Sequence, residues 1–290
     1  MLLTSAVISG IGLGSMYGLI ALGFHVTYAV SNTVNFSQGS AVMLGAVLGY
    51  TFMITYGLPF WVAVPLALAG CAVLGLVVER TLVRPFVARG SDSWLMATVA
   101  GGILLDNIVL FTFGKEPRSL PSPLATNPVE IMGAGIYPLQ LVIPVVGIAI
   151  AVVLQLVFRR TDLGKVLLAV VQNRDAARLM GIDARTVIAT SFAIATVLAG
   201  IAGLLIAPLY SVHSEMGMLF GLKAFAVAIL GGITSAPGVV IAGLLYGIVE
   251  ALVTAYLGST YTQIVVFSVI ILALTLMPNG LLGRAAVNKV

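Results

Sequence analysis

The chain has 290 residues, of which 60% are hydrophobic and 8% charged, and its net charge is +4 at pH 7. Soluble domains carry about a quarter charged residues, so a chain this apolar has no means of covering a water-facing surface, and its solvent is the bilayer. The basic excess then reports topology rather than nucleic-acid binding, and the lone cysteine, Cys71 in an apolar run, makes neither an intrachain disulfide nor a metal site.

The opening "MLLTSAVISGIGLG" lacks a basic n-region and a small-residue cleavage site, so it reads as the start of a first span, not a removable signal. A spanning helix needs about 20 mostly apolar residues. That predicts spans over 5–30, 38–57, 60–83, 94–113, 139–158, 187–208, 238–257 and 260–277. A shorter run, 222–233, precedes the turn "TSAPG" and is too short to cross at 1.5 Å per residue. It reads as a half-helix beside a re-entrant stretch, which is tolerated only inside protein or along a cavity. The expected fold is an all-α polytopic membrane protein with about eight transmembrane helices plus a short broken or re-entrant helix, in one domain over 1–290.

Between the first two spans lies "VSNTVNFSQGSAVMLGA", with Asn32, Asn35, Ser37 and Gln38. It has two readings: a solvated turn, or a break inside the membrane whose amides face a cavity that handles a polar solute. Glycines recur every four residues at Gly10, Gly14 and Gly18, at Gly45 and Gly49, and at Gly243 and Gly247. This spacing predicts close helix packing. Asp106 and Asn107 sit mid-span in "GGILLDNIVLFTF". An ionisable group there costs about 2.5–3.5 kcal/mol on insertion, so it is either functional or a polar clamp between helices. Glu250 and Lys223 carry the same two readings. Tyr137 and Trp94, near span ends, read as interface anchors.

The loop "ERTLVRPFVARGSDS" carries Arg80, Arg84 and Arg89, and residues 159–186 carry six basic residues. Both are expected to be cytoplasmic, as is the tail with Arg284 and Lys289. Residues 114–138, with four prolines from Pro117 to Pro128, then form an irregular extracytoplasmic loop, and "YSVHSEMGMLFG" lies on the same outer side. Neither a P-loop, a dinucleotide fingerprint, a zinc cluster nor a nucleophile–base set occurs, so the reading is a non-enzyme without its own ATPase site and without a metal.

Within the basic loop, "QNRDAARLMGIDARTV" predicts a short capped helix. Asn173 is its N-cap, Asp175 lies in the first turn, Arg178 near the last, and Gly181 at the left-handed position after the end. Leu179 and Met180 give it an apolar surface suited to a groove on a soluble partner.

"DAARLMG" resembles the EAA-x-x-x-G loop of ABC importer permeases, with Asp175 for Glu, then Ala176, Ala177 and Gly181. The usual I-x-L-P continuation is replaced by "DARTVIATSFA". "GLGSMYGLIALGFHVTYAVSNTVNFSQGSAVMLGA", "FAVAILGGITSAPGVVIAGLLYGIVEAL" and "LTLMPNGLLG" resemble the branched-chain amino acid ABC transporter permease family over nearly the whole chain. The resemblance implies a plasma-membrane permease subunit forming half of a translocation pathway. It implies a second homologous permease, two cytoplasmic ATPases that bind ATP and Mg, and an extracytoplasmic substrate-binding protein. It makes Asn173, Arg174, Asp175, Ala176, Ala177, Arg178, Leu179 and Gly181 the ATPase-coupling residues. Asn35, Ser37, Gln38, Asp106 and Asn107 are the candidate pathway residues. The implied substrates are leucine, isoleucine and valine. Other members carry other amino acids, urea, short amides or aromatic acids, and the rival reading on residues alone is an ion-coupled secondary transporter.

Overall fold

The chain is described from a computed structural model that covers residues 2–131, 134–277 and 279–283. Eight helices among these residues are long and apolar enough to span a bilayer: α1 (Leu2–Ser31), α2 (Gln38–Thr55), α3 (Phe60–Val87), α4 (Trp94–Phe113), α5 (Pro138–Arg160), α8 (Ala184–Ile206), α10 (Ala236–Leu257) and α11 (Ser259–Leu276). Two short helices, α6 (Asp162–Gln172) and α7 (Arg174–Leu179), connect α5 to α8. A ninth apolar helix, α9 (Met216–Gly231), has 16 residues. The chain is thus an all-α polytopic membrane protein, with one minor addition: the proline-rich segment ends in an antiparallel pair, β1 (Val129–Ile131) and β2 (Ala134–Ile136).

The basic loops fall at one end of the bundle. Helix α3 runs further toward that end than the sequence reading placed it, to Val87 rather than about 83. A wide turn makes this possible: the Arg84 amide bonds back five residues to the Glu79 carbonyl. Such a turn accommodates Pro85, which has no N–H and would clash in a regular helix. The loop proper is therefore short, and Arg80 and Arg84 ride on the helix. Glu79, 2% exposed, accepts from Arg84 Nε at 3.0 Å and Nη2 at 2.7 Å. The tail residues Arg284 and Lys289 lie outside the described residues.

Helix α1 stops at Asn32, whose φ of 56° places it in the left-handed region that asparagine tolerates. The end of α1 is level with the start of α8, since Val30 clusters with Ala184 and Val187. Residues 32–37 then climb back into the bundle without helix. At the start of α2, Gln38 Nε2 donates to the Ala195 carbonyl at 2.7 Å, about 12 Å further along α8 than Val187 at 1.5 Å per residue. The break is therefore not a solvated turn. Thr33, Asn35, Ser37 and Gln38 are all buried, so its irregular backbone is enclosed in protein, as membrane depth requires.

The second break mirrors the first from the other end. Arg118 and Val212 exchange backbone hydrogen bonds of 3.0 and 2.8 Å at the end away from the basic loops. Within a few residues the chain reaches Gly217, whose backbone rests on Gly39 of α2. So only the first part of "YSVHSEMGMLFG" lies at the outer rim; from Met216 it turns inward, and α9 is the half-helix expected near 222–233, beginning earlier than expected.

The contacts repeat with partners exchanged. Helix α1 lies along α10 as α8 lies along α3, and α2 packs on α8 as α9 packs on α1. The start of α2 and the start of α9 meet each other: a Cβ on Gly39 would strike the Gly217 carbonyl, and one on Gly217 the Gly39 carbonyl. The four-helix sets α1–α4 and α8–α11 are thus an inverted pair about an axis near this crossing, with α5–α7 as connector.

Small residues let these backbones approach. A Cβ on Gly14 would lie 2.6 Å from the Gly243 carbonyl oxygen, and one on Gly10 2.7 Å from Ile248 Cα. Gly45 likewise faces Gly200 of α8. Lipid supplies no hydrophobic drive between helices, so dispersion at this close range holds them together.

Candidate functional site

Two regions emerge, one where the broken helices meet and one at the basic end. At the first, a cavity of about 240 Å³ is lined by Phe24, Phe36, Gly39, Ser40, Gly102, Asp106, Gly221 and Phe225, among others. It draws on α1, the break, α2, α4 and α9. Glycines 39 and 221 let α2 and α9 touch beside it, and Asp106 is the lone ionisable group on its wall, with Oδ1 unpartnered.

The five candidate pathway residues divide. Asp106 lines this cavity. Asn107 points to the exposed side of α4 and donates from Nδ2 to the Ile103 carbonyl at 2.8 Å. Asn35, Ser37 and Gln38 are 0%, 1% and 0% exposed and frame the break from behind. Asn35 Oδ1 accepts from the Ser37 amide at 3.1 Å and from the Ser37 hydroxyl, an Asx-type turn that sets the entry to α2. Asn35 Nδ2 and Gln38 Oε1 remain unpartnered. Ser40, one turn beyond Phe36, is the cavity hydroxyl that the sequence reading passed over; its place four residues before Leu44 in an apolar run gave little signal.

At the basic end, the predicted capped helix is present. Asn173 Oδ1 accepts from the Asp175 and Ala176 amides at 3.1 and 3.0 Å. Gly181, at φ 82°, follows the helix, and the Ile182 amide reaches the Ala177 carbonyl while the Gly181 amide reaches that of Arg178. These are the two bonds of a Schellman stop. Ala177 is buried against α6 and α8, whereas Leu179 and Met180 are 89% and 83% exposed. Asp175 and Arg178 face each other at 3.6 Å on the exposed surface.

Helix α7 is not held by its own six residues. Arg174 Nη2 donates to the Val30 carbonyl, the last turn of α1, at 3.1 Å. Leu167 and Val170 of α6 cluster with Val30, Ala177 and Ala184. Helix α6 itself was missed in the sequence, although Thr161, which accepts from the Gly164 amide at 3.2 Å, and the Val166/Leu167/Val170 spacing mark it. Asp183 caps α8, and the Thr186 hydroxyl, together with the Arg185 amide, holds its carboxyl below the usual range.

Eight apolar spans and two breaks that meet inside the bundle define a polytopic, multi-pass membrane protein. Residues 6–274 match the family described as branched-chain amino acid transport system / permease component. The chain is 35% identical to the high-affinity branched-chain amino acid transport system permease protein LivH of Escherichia coli (strain K12), with 97% of this chain aligned to 96% of that protein. It is 31% identical to the corresponding permease protein BraD of Pseudomonas aeruginosa, over 98% of this chain and 96% of that one. Among solved structures, PsaBC from Streptococcus pneumoniae in complex with Fab shares the fold, at a TM-score of 0.52 and 13% identity over 96% of this chain and 93% of that chain. The chain belongs to the branched-chain amino acid ABC transporter permease family.

Proposed function

We propose that the chain forms half of the translocation pathway of an ATP-driven importer for branched-chain or other small amino acids, and that α7 is the element gripped by a cytoplasmic ATPase. The carrying observation is that α7 is capped at both ends, fastened to α1 and α8, and presents Leu179 and Met180 to solvent. A docking surface needs this combination of rigid seat and apolar tip. On this reading residues 159–186 are cytoplasmic and 114–138 extracytoplasmic. ATP and Mg bind to two partner ATPases, a second homologous permease completes the pathway, and an extracytoplasmic binding protein delivers substrate. The chain itself then needs no ATPase site.

The motion follows from the fastening. A pull on α7 is transmitted through Arg174 to the end of α1 and through the shared cluster to α8. These helices flank the Gly39–Gly217 crossing and the cavity with Asp106, so a rigid-body displacement reaches the place where the pathway opens or shuts. Asn35, Ser37 and Gln38 support that cavity, and Asp106 with Ser40 offers it polar contact.

Replacing Gly181 with Val tests this. A β-branched residue at φ 82° is strained, and the Schellman stop is lost. ATP hydrolysis and uptake should become uncoupled, or ATPase binding lost, while membrane insertion stays normal. Unchanged uptake would overturn the assignment.

A further inference from the structure

Lys223 of α9 and Glu250 of α10 form an ion pair inside the bundle, each 7% exposed. Charges at this depth are costly and mark function by default, and a buried pair is a poor source of stability, because desolvation offsets the attraction. The pair is also incompletely satisfied. Lys223 Nζ bonds Glu250 Oε1 and the Tyr17 hydroxyl, the latter at 3.4 Å. Glu250 Oε2 and the neighbouring Tyr246 hydroxyl have no partner.

The pair sits on the wall of a second cavity, of about 500 Å³, a volume typical of small-molecule sites. This cavity lies between α1, α5, α10 and α11 and reaches the outer rim of the bundle, where α10 ends and α11 begins. Ser9, Gln140, Thr262 and Gln263 line it with hydroxyls and amides. These polar groups alternate with Leu2, Ala6 and Ala255, so the wall is mixed rather than purely apolar as a lipid-facing one would be.

We infer that this vestibule binds the head of a zwitterionic α-amino acid, with the ammonium toward the Glu250 carboxylate and the carboxylate toward Lys223, both of which line its wall. A zwitterion matches a fixed plus–minus pair as no neutral amide or single ion does, and it keeps both buried charges compensated on binding. The neighbouring Leu13 and Ala251 give an aliphatic side chain apolar contact. This is a site distinct from the Asp106 cavity, and it rests on the amino acid reading above.

The test uses the purified permease–ATPase complex without binding protein or nucleotide, with thermal unfolding followed against leucine, 3-methylbutylamine and 4-methylpentanoate at millimolar concentration. Ligand that binds only the folded state stabilises it by RT ln(1 + [L]/Kd), so the midpoint rises with ligand concentration relative to Kd. Leucine should raise it, and the amine and the carboxylate, each supplying one charge, should not. In the Lys223→Met/Glu250→Gln double variant, which leaves no lone buried charge, the apparent leucine Kd should weaken at least about tenfold. No shift with leucine, an equal shift with either half-analogue, or an unchanged Kd in the double variant would overturn the inference. The analogue comparison needs no variant. Stimulation of ATP hydrolysis by the binding protein, measured in parallel, tests the importer reading separately.

Discussion

Arg174 and Val30 are 144 positions apart in the chain, yet the Arg174 guanidinium donates to the Val30 carbonyl at 3.1 Å. The last carbonyls of a helix have no intrahelical partner, so a cation placed there both caps α1 and complements its dipole. The exposed α7 is thereby joined to the span that ends where the buried break begins.

Replacing Arg174 with Gln should loosen that joint without removing the proposed docking surface. A hydrogen bond to a charged group contributes about 1.5–3 kcal/mol, and partial exposure of Arg174 puts the expected loss at the low end. The ATPase should still co-purify, while uptake per ATP hydrolysed falls. Measuring both quantities in proteoliposomes separates transmission from docking, and a normal ratio would show that α1 is not in the path.

Gly14→Val should prevent proper assembly of α1 on α10. The added carbons would meet Gly243 and Leu244 backbone, which does not yield as a flexible side chain would. Overpacking typically costs about 1–3 kcal/mol, and backbone contacts belong at the top of that range. Size-exclusion profiles in detergent should shift to aggregate or low yield. A monodisperse, equally stable variant would contradict the close packing.

The Glu79–Arg84 pair predicts an asymmetry. Arg84 is 35% exposed at its side chain and Glu79 only 3%. Removing Arg84 strands a buried carboxylate, a loss of about 3–5 kcal/mol; Glu79→Gln lets Arg84 turn toward solvent and costs much less. Thermal midpoints of Arg84→Met and Glu79→Gln should therefore differ clearly, with Arg84→Met the lower. Equal midpoints would mean that Glu79 is not dependent on its partner.

The sequence makes local features legible and leaves distant ones hidden. Span positions follow from apolar run length, and the α7 caps follow from Asn173 and Gly181, because each depends on residues within one turn. The depth of the break does not, since it is set by Gln38 meeting Ala195, 157 residues away. The same holds for Lys223 and Glu250, which read as separate puzzles until the turn at Gly232 folds α9 against α10. Glycine spacing did predict close packing, but it did not say that Gly39 and Gly217 bring two broken helices together. The end of α3 was misplaced because Arg80 and Pro85 look like loop residues, and only the wide turn at Glu79 reconciles them with a helix.

On the proposed function, α7 is the surface that the ATPase grips. Cys71 is the chain's only cysteine and is buried, so Leu179→Cys introduces a single accessible thiol at a position that is 89% exposed. Photoactivatable crosslinking from that thiol in the assembled transporter should capture the ATP-binding subunit, whereas a thiol at Trp61, 84% exposed at the opposite end, should not. Capture at Trp61 but not at Leu179, or no capture from Leu179 in a complex that hydrolyses ATP, would contradict the account.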